Sequence, residues 1–173
     1  MCLNPLYPIY SMLDSSGRFQ EYRSRHGLHG SNVLSVLSAE VANLIVEKIK
    51  DEIADKVVVE VGAGIGLLGI ALGQYARKVF CIEANPYWGF VFAENLVADK
   101  PQNVSFLLGA AEEFRGIISG DVALFCAHLS IPYFSDLSSL FAPRVIDIYG
   151  EIFGRDSVAT EDKMTRLKRE LKQ

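Results

Sequence analysis

The sequence has little of what several large protein classes require. Three cysteines stand in 173 residues, Cys2, Cys81 and Cys126, far apart and odd in number. That excludes a disulfide framework, and their separation gives no metal-ligand spacing. Cys81 and Cys126 sit in apolar runs, where a buried, inert thiol is the usual state. Basic residues are outnumbered by 17 to 21, for a formal net charge of -4. A general nucleic-acid binder, which must neutralise phosphates, normally carries the opposite excess, although a local basic patch remains compatible with this balance. The longest apolar stretch, Val57 to Gly73, is interrupted by Glu60 and contains five glycines, so it is ill suited to spanning lipid. The opening MCLNPLYPIYSML lacks a basic segment and carries two prolines, unlike a secretory signal. These absences predict a cytoplasmic protein with no membrane partner.

What is present is an ordinary globular composition, 50% apolar and 22% charged, in a chain long enough for one domain with its own core. From Glu40 onward helical and strand-like segments alternate. Val41, Leu44, Ile45, Lys48 and Ile49 recur at helical spacing behind Ser38, a suitable N-cap. Val57 to Val61 is a short β-branched run of the kind buried on both faces of a sheet. A glycine-containing helix over Leu67 to Arg77 follows, then a strand over Val79 to Glu83 and a helix over Tyr87 to Ala98. The pattern continues with a strand over Val104 to Leu108, a short helix over Ala111 to Ile118 and a strand over Val122 to Ala127. Helical turns over Asp136 to Phe141 and a strand over Arg144 to Tyr149 close the series. Such alternation predicts a doubly wound α/β fold: a mostly parallel sheet of about five strands with helices on both faces. The organisation expected is an arm or lid over 1–37, the α/β domain over 38–150 and a charged helix over 151–173.

Between the first strand and its helix lies Glu60-Val61-Gly62-Ala63-Gly64-Ile65-Gly66. A strand that feeds a glycine-rich turn into a helix suits a nucleotide-like ligand, because glycine permits positive φ and close backbone approach. In an open parallel sheet the crevice lies at the carboxyl ends of the strands, where the strand order reverses. A dinucleotide fingerprint can be placed on Gly64, Gly66 and Gly69, but it puts Glu60 and Gly62 where the preceding strand should be apolar. The register at Gly62, Gly64 and Gly66 begins directly after the strand. Glu83 ends the second strand about 20 residues past the first glycine, the spacing at which a carboxylate reaches vicinal ribose hydroxyls. That geometry serves any adenosine ligand; the alternative is a solvated strand-end carboxylate.

The acid followed by alternating glycines resembles motif I of class I S-adenosylmethionine-dependent methyltransferases, and the resemblance covers Leu34 to Tyr149. It implies S-adenosylmethionine as cofactor and methyl transfer to an acceptor that the sequence does not identify. It also implies a cofactor site made of Glu60, Gly62, Ala63, Gly64 and Gly66, with Glu83 and Ala84 after the second strand. After the third strand, where the family usually places an acid on the adenine amino group, this chain has Ala110. Backbone groups there, Ala111 and Glu112 are the implied substitutes. Two further strands normal to the fold have no counterpart after Tyr149. The short sheet edge is therefore expected to be covered by the arm, the terminal helix or another subunit (a homo-oligomer or partner subunit), or else to be exposed and blunted by charge.

Methyl transfer is an in-line displacement in which the protein chiefly positions the reactants. In the family the acceptor meets the methyl group after the fourth strand, here Phe125-Cys126-Ala127-His128-Leu129-Ser130-Ile131-Pro132-Tyr133. His128 is the candidate general base, since imidazole titrates near neutrality, with a hydrogen-bonded strand-end histidine as the plain alternative. Tyr133 is a candidate wall of the acceptor pocket or a packing residue. Ser130 to Tyr133 is similar to the [DNS]-P-P-[FY] motif of base-amino methyltransferases but has Ile131 in place of the first proline, which keeps nucleic acid a minor expectation. Tyr22, Arg23, Arg25, His26 and His29 form a basic cluster in the arm, suited to a lid or to a solvated loop; no metal site completes around the histidines. Lys163, Arg166, Lys168, Arg169 and Lys172 read as a charged surface helix. Tyr87, Trp88, Phe90 and Phe92 are expected to pack their helix on the sheet, with a Trp88 ring near the adenine, just after Glu83, as the alternative. Two other functions remain: a catalytically inactive cofactor-binding subunit and an NAD(P)-dependent oxidoreductase.

Overall fold

The computed structural model of the chain describes residues 39–125 and 136–148. Helix α1 (Ala39–Ile53) buries Val41, Ala42, Ile45, Val46, Ile49 and Ile53, a stripe at helical spacing. The buried face is turned from the expected one, since Lys48 is exposed while Ala42 and Val46 lie inside. Glu40 in its first turn and Lys50 in its last complement the helix dipole. Strand β1 (Val57–Val61) follows, then α2 (Leu67–Leu72), β2 (Lys78–Glu83), α3 (Pro86–Asp99) and β3 (Val104–Leu108). Pro86 opens α3 at the position where a missing N–H costs nothing. Beyond β3 come a 3-10 turn (Ala111–Phe114), β4 (Val122–Phe125), a helical turn over 136–139 and β5 (Arg144–Asp147).

These five strands form one parallel sheet in the order β3-β2-β1-β4-β5. The expected doubly wound α/β architecture is therefore the observed one. Side chains divide the core by strand alternation. Val58, Val79, Cys81, Val122 and Leu124 face α1, α2 and α3, meeting Ile45, Leu68, Leu72 and Phe92. Val59, Val61, Ile82, Ala123 and Phe125 face the other way, onto Ala111, Leu137, Phe141 and Ala142. The C-terminal strand ends are in register, with Val61 opposite both Ile82 and Phe125 and Glu83 opposite Leu108. Loops after β1, β2 and β3 consequently gather at one edge, and the strand order reverses between β1 and β4.

Several expected boundaries move. The helix after the glycine turn stops at Leu72 instead of Arg77, where the Asn103 side chain takes the carbonyls of Gly73 and Ala76, both at 2.8 Å. The helix expected over Ala111 to Ile118 is a single 3-10 turn, because Arg115 is extended and Gly116 has φ 74°. Phe90 does not pack on the sheet; it is 74% exposed, whereas Trp88 and Phe92 are buried. The arm, the stretch around His128 and Tyr133 and the C-terminal charged helix lie outside the described residues. Among the described residues no helix is long and apolar enough to cross a membrane.

Candidate functional site

The loop after β1 is built on three left-handed glycines, Gly62 (φ 76°), Gly64 (φ 58°) and Gly66 (φ 78°). They are the alternating set; Gly69 lies inside α2 instead. The amides of Gly62 and Ala63 both donate to the Ile82 carbonyl at 2.9 Å, which fastens the start of the loop to the end of β2. Gly66 N–H then donates to the Ala63 carbonyl at 3.0 Å and closes a turn. Gly66 caps α2 without any side chain of its own. A Cβ at that position would lie 2.0 Å from Cδ2 of the Phe92 ring, so the site excludes side chains by space as well as by backbone.

Glu83 is drawn into this loop. Its Oε2 accepts the Gly64 N–H at 2.7 Å and its Oε1 accepts the Asn85 N–H at 2.7 Å, with the side chain 9% exposed. Burial pushes its pKa up, while the amides of Asn85, Gly64 and Ala84 pull the other way. A carboxylate has about four lone-pair sites, so it retains acceptor capacity for hydroxyl donors beyond these amides. Ala84 beside it is exposed. The Gly109 amide donates to the Glu83 carbonyl at 3.0 Å and brings the loop after β3 to the same place. In that loop Glu112 is exposed, whereas the Ala111 side chain is buried in the core with Val61 and Ile82.

Glu60 occupies a different position. Strand alternation directs it toward α2, where it is 2% exposed and lies beneath Gly69. A Cβ on Gly69 would meet Cys81 Sγ at 2.3 Å and Glu60 Oε2 at 2.7 Å. Glycine there lets α2 settle onto the carboxyl and the thiol. Burial pushes the Glu60 pKa up to about 8; the neighbouring Cys81 thiol opposes this and the Glu83 charge adds to it. The Cys81 thiol is itself pushed well up by burial and then by Glu60, which leaves it protonated and unreactive. Glu60 Oε2 has no hydrogen-bond partner among the described residues.

The structure thus brings Gly62, Ala63, Gly64, Gly66, Glu83 and Ala84 together at the strand ends, with Glu112 on the adjoining turn. His128 and Tyr133 fall outside the described residues. Two residues of α3 complete the loop: Phe92, expected only to pack on the sheet, whose ring also fills the space over Gly66, and Asn95, not singled out by its sequence pattern, whose Nδ2 donates to the Ile65 carbonyl at 2.8 Å. The available signal was a polar Asn, a poor interior helix former, in a largely apolar helix. Among the described residues no group of three or more His, Cys, Asp or Glu is placed to hold a metal.

Neither a family model nor a curated protein matches the sequence. Solved structures do match its fold. Precorrin-6y C5,15-methyltransferase of Geobacter metallireducens is 16% identical at a TM-score of 0.56, covering 80% of this chain and 73% of that one. M. jannaschii TYW2, solved in complex with AdoMet, is 17% identical at a TM-score of 0.54 over 80% of this chain and 65% of its own. A Pyrococcus horikoshii protein provisionally described as an RNA methyltransferase is 20% identical at a TM-score of 0.54, over 62% of this chain. The present chain spans 58% of that protein's length. The fold is the Rossmann-like one found in class I methyltransferases.

Proposed function

We propose that this chain is an S-adenosylmethionine-dependent methyltransferase domain whose cofactor lies across Gly62 to Gly66 with its ribose on Glu83. The observation that carries the reading is the Glu83 carboxylate held at the glycine loop by Gly64 N–H at 2.7 Å, next to the point where the strand order reverses. In that position the carboxylate accepts both ribose hydroxyls, and the glycine backbone approaches the amino-acid half without steric opposition. Ala84, Glu112 and the backbone around Ala110 and Ala111 border the adenine. Glu60, buried beneath Gly69 with its pKa pushed up to about 8, supports α2 from below, behind the loop that would meet the amino-acid half of the cofactor. Several neighbours of the same fold are named methyltransferases, and one of them was solved with AdoMet.

The bound cofactor supplies an activated methyl group on a sulfonium. This chain's contribution is to hold the cofactor by its ribose and its backbone-facing end while an acceptor lone pair aligns opposite the sulfur. His128 is the proposed base for an acceptor that must lose a proton, and Tyr133 the proposed wall of the acceptor pocket. Label transfer from S-adenosylmethionine into a fractionated cell extract tests the reaction. The wild type is expected to label a discrete fraction, and His128→Ala to lower the rate about 100-fold or more. S-adenosylhomocysteine binding without any transfer would instead make the chain a cofactor-binding partner or regulatory subunit.

A further inference from the structure

We propose that Asn95 is the positioning residue of the glycine loop: from α3 its side-chain amide fixes the Ile65–Gly66 peptide in the orientation the cofactor site uses. The inference rests on reading that loop as the cofactor site. Asn95 Nδ2 donates to the Ile65 carbonyl at 2.8 Å, across 30 residues of sequence. In a trans peptide the carbonyl and the following N–H point in opposite directions. Holding the Ile65 carbonyl toward α3 therefore turns the Gly66 N–H the other way, onto the Ala63 carbonyl at 3.0 Å. Turn closure and the direction of the last loop peptide are one geometric fact, and Asn95 sets it.

The loop needs such a hold. Ile65 is pinned by its side chain, 1% exposed, but the residues on both sides of it are glycines at φ 58° and 78°. Neither has a Cβ to resist rotation of the adjoining peptides. Beside the turn's own Gly66 N–H to Ala63 bond and the Ile70 N–H on the Gly66 carbonyl at 2.9 Å, three contacts from other elements oppose that freedom: Glu83 at the Gly64 amide, the Phe92 ring over Gly66, and Asn95 at the Ile65 carbonyl. Glu83 also serves as ribose acceptor, and Phe92 also packs the core, 4.8 Å from the Phe106 ring. Asn95 has neither duty. Trp88, Val91 and Phe92, which α3 turns inward, are apolar, and asparagine is a poor helix former. The hydrogen bond to the loop accounts for its place there.

The test compares wild type, Asn95→Asp, Asn95→Ala and Asn95→Gln by two readouts. One is the backbone amide resonances of Gly64 and Gly66 in the ligand-free protein; the other is calorimetric affinity for S-adenosylhomocysteine, measured well below every unfolding midpoint. Asp keeps the shape but loses the donor, Ala loses both, and Gln keeps the donor on a longer arm. Asn95→Asp and Asn95→Ala are expected to shift or broaden both glycine resonances and to weaken binding about tenfold. Asn95→Gln is expected to recover part of each, with resonances of β4 and β5 unmoved in all variants. Unmoved glycine resonances, or affinity within about twofold of wild type, overturn the proposal. So do changes spread evenly over the sheet, which would mark a merely structural role. If the wild type binds no S-adenosylhomocysteine, the cofactor reading fails, and the glycine resonances alone still decide whether Asn95 sets the loop.

Discussion

Glu83, the last residue of β2, takes the backbone N–H of Gly64 at 2.7 Å, so the carboxylate that would receive a ribose also holds the glycine loop in shape before any ligand arrives. One side chain thus joins the two halves of the site. Pre-orientation of this kind reduces what binding must spend on ordering the loop.

Glu83→Ala removes both the proposed ribose acceptor and the Gly64 anchor. Two hydrogen bonds to a charged group, at about 1.5–3 kcal/mol each, amount to a loss of about 100-fold or more in affinity for S-adenosylhomocysteine. Glu83→Gln keeps an acceptor for Gly64 but loses the charge, and is expected to fall between. Calorimetry checks both; unchanged affinity in Glu83→Ala would show that the ribose lies elsewhere.

Gly66→Ala places a methyl group where the Phe92 ring already is, on a residue with φ 78°. Backbone strain of about 1–2 kcal/mol adds to overpacking of about 1–3 kcal/mol, so a destabilisation of about 3 kcal/mol is expected in chemical denaturation. Trimming the ring should return the overpacking part alone. The double variant Gly66→Ala/Phe92→Leu is therefore expected to be less destabilised than the sum of the two single changes. Strict additivity would mean that the ring does not set the limit.

Glu60 predicts a pH dependence of stability. Its carboxyl titrates at the ordinary 4.5 in the unfolded chain and at about 8 when folded. Between those values the folded protein keeps a proton that the unfolded chain has lost, so stability falls as pH rises, by up to about 1.4 kcal/mol per pH unit. That contribution is complete below the unfolded pKa and gone above the folded one; Glu83, also raised, acts in the same direction. Denaturation midpoints should therefore drop across this window, and Glu60→Gln should flatten the slope and be more stable than wild type at its alkaline end. An identical slope in the variant would mean that Glu60 is ionised in the native protein.

Much of this was legible in the sequence, and for physical reasons. Alternating β-branched and helical-period segments prescribe a parallel doubly wound sheet, and Gly62, Gly64 and Gly66 straight after Val61 mark a loop that needs positive φ. Glu83 could be found from spacing alone. The face of Glu60 could not: alternation separates Glu60 from Val59 and Val61, yet nothing local says which face α2 will cover. Asn95 was equally hidden, because its partner is a backbone carbonyl 30 residues away. The exposure of Phe90 depends on how α3 is rotated about its axis, which propensity does not fix.

A loop and a Glu83 carboxylate built for S-adenosylmethionine, as proposed, should not accept a dinucleotide. Titration calorimetry of the full chain against S-adenosylmethionine, S-adenosylhomocysteine and NAD(P)H in parallel tests this most directly. Saturable binding of both sulfur compounds and none of NAD(P)H is expected; binding of NAD(P)H with no response to either sulfur compound would overturn the cofactor reading.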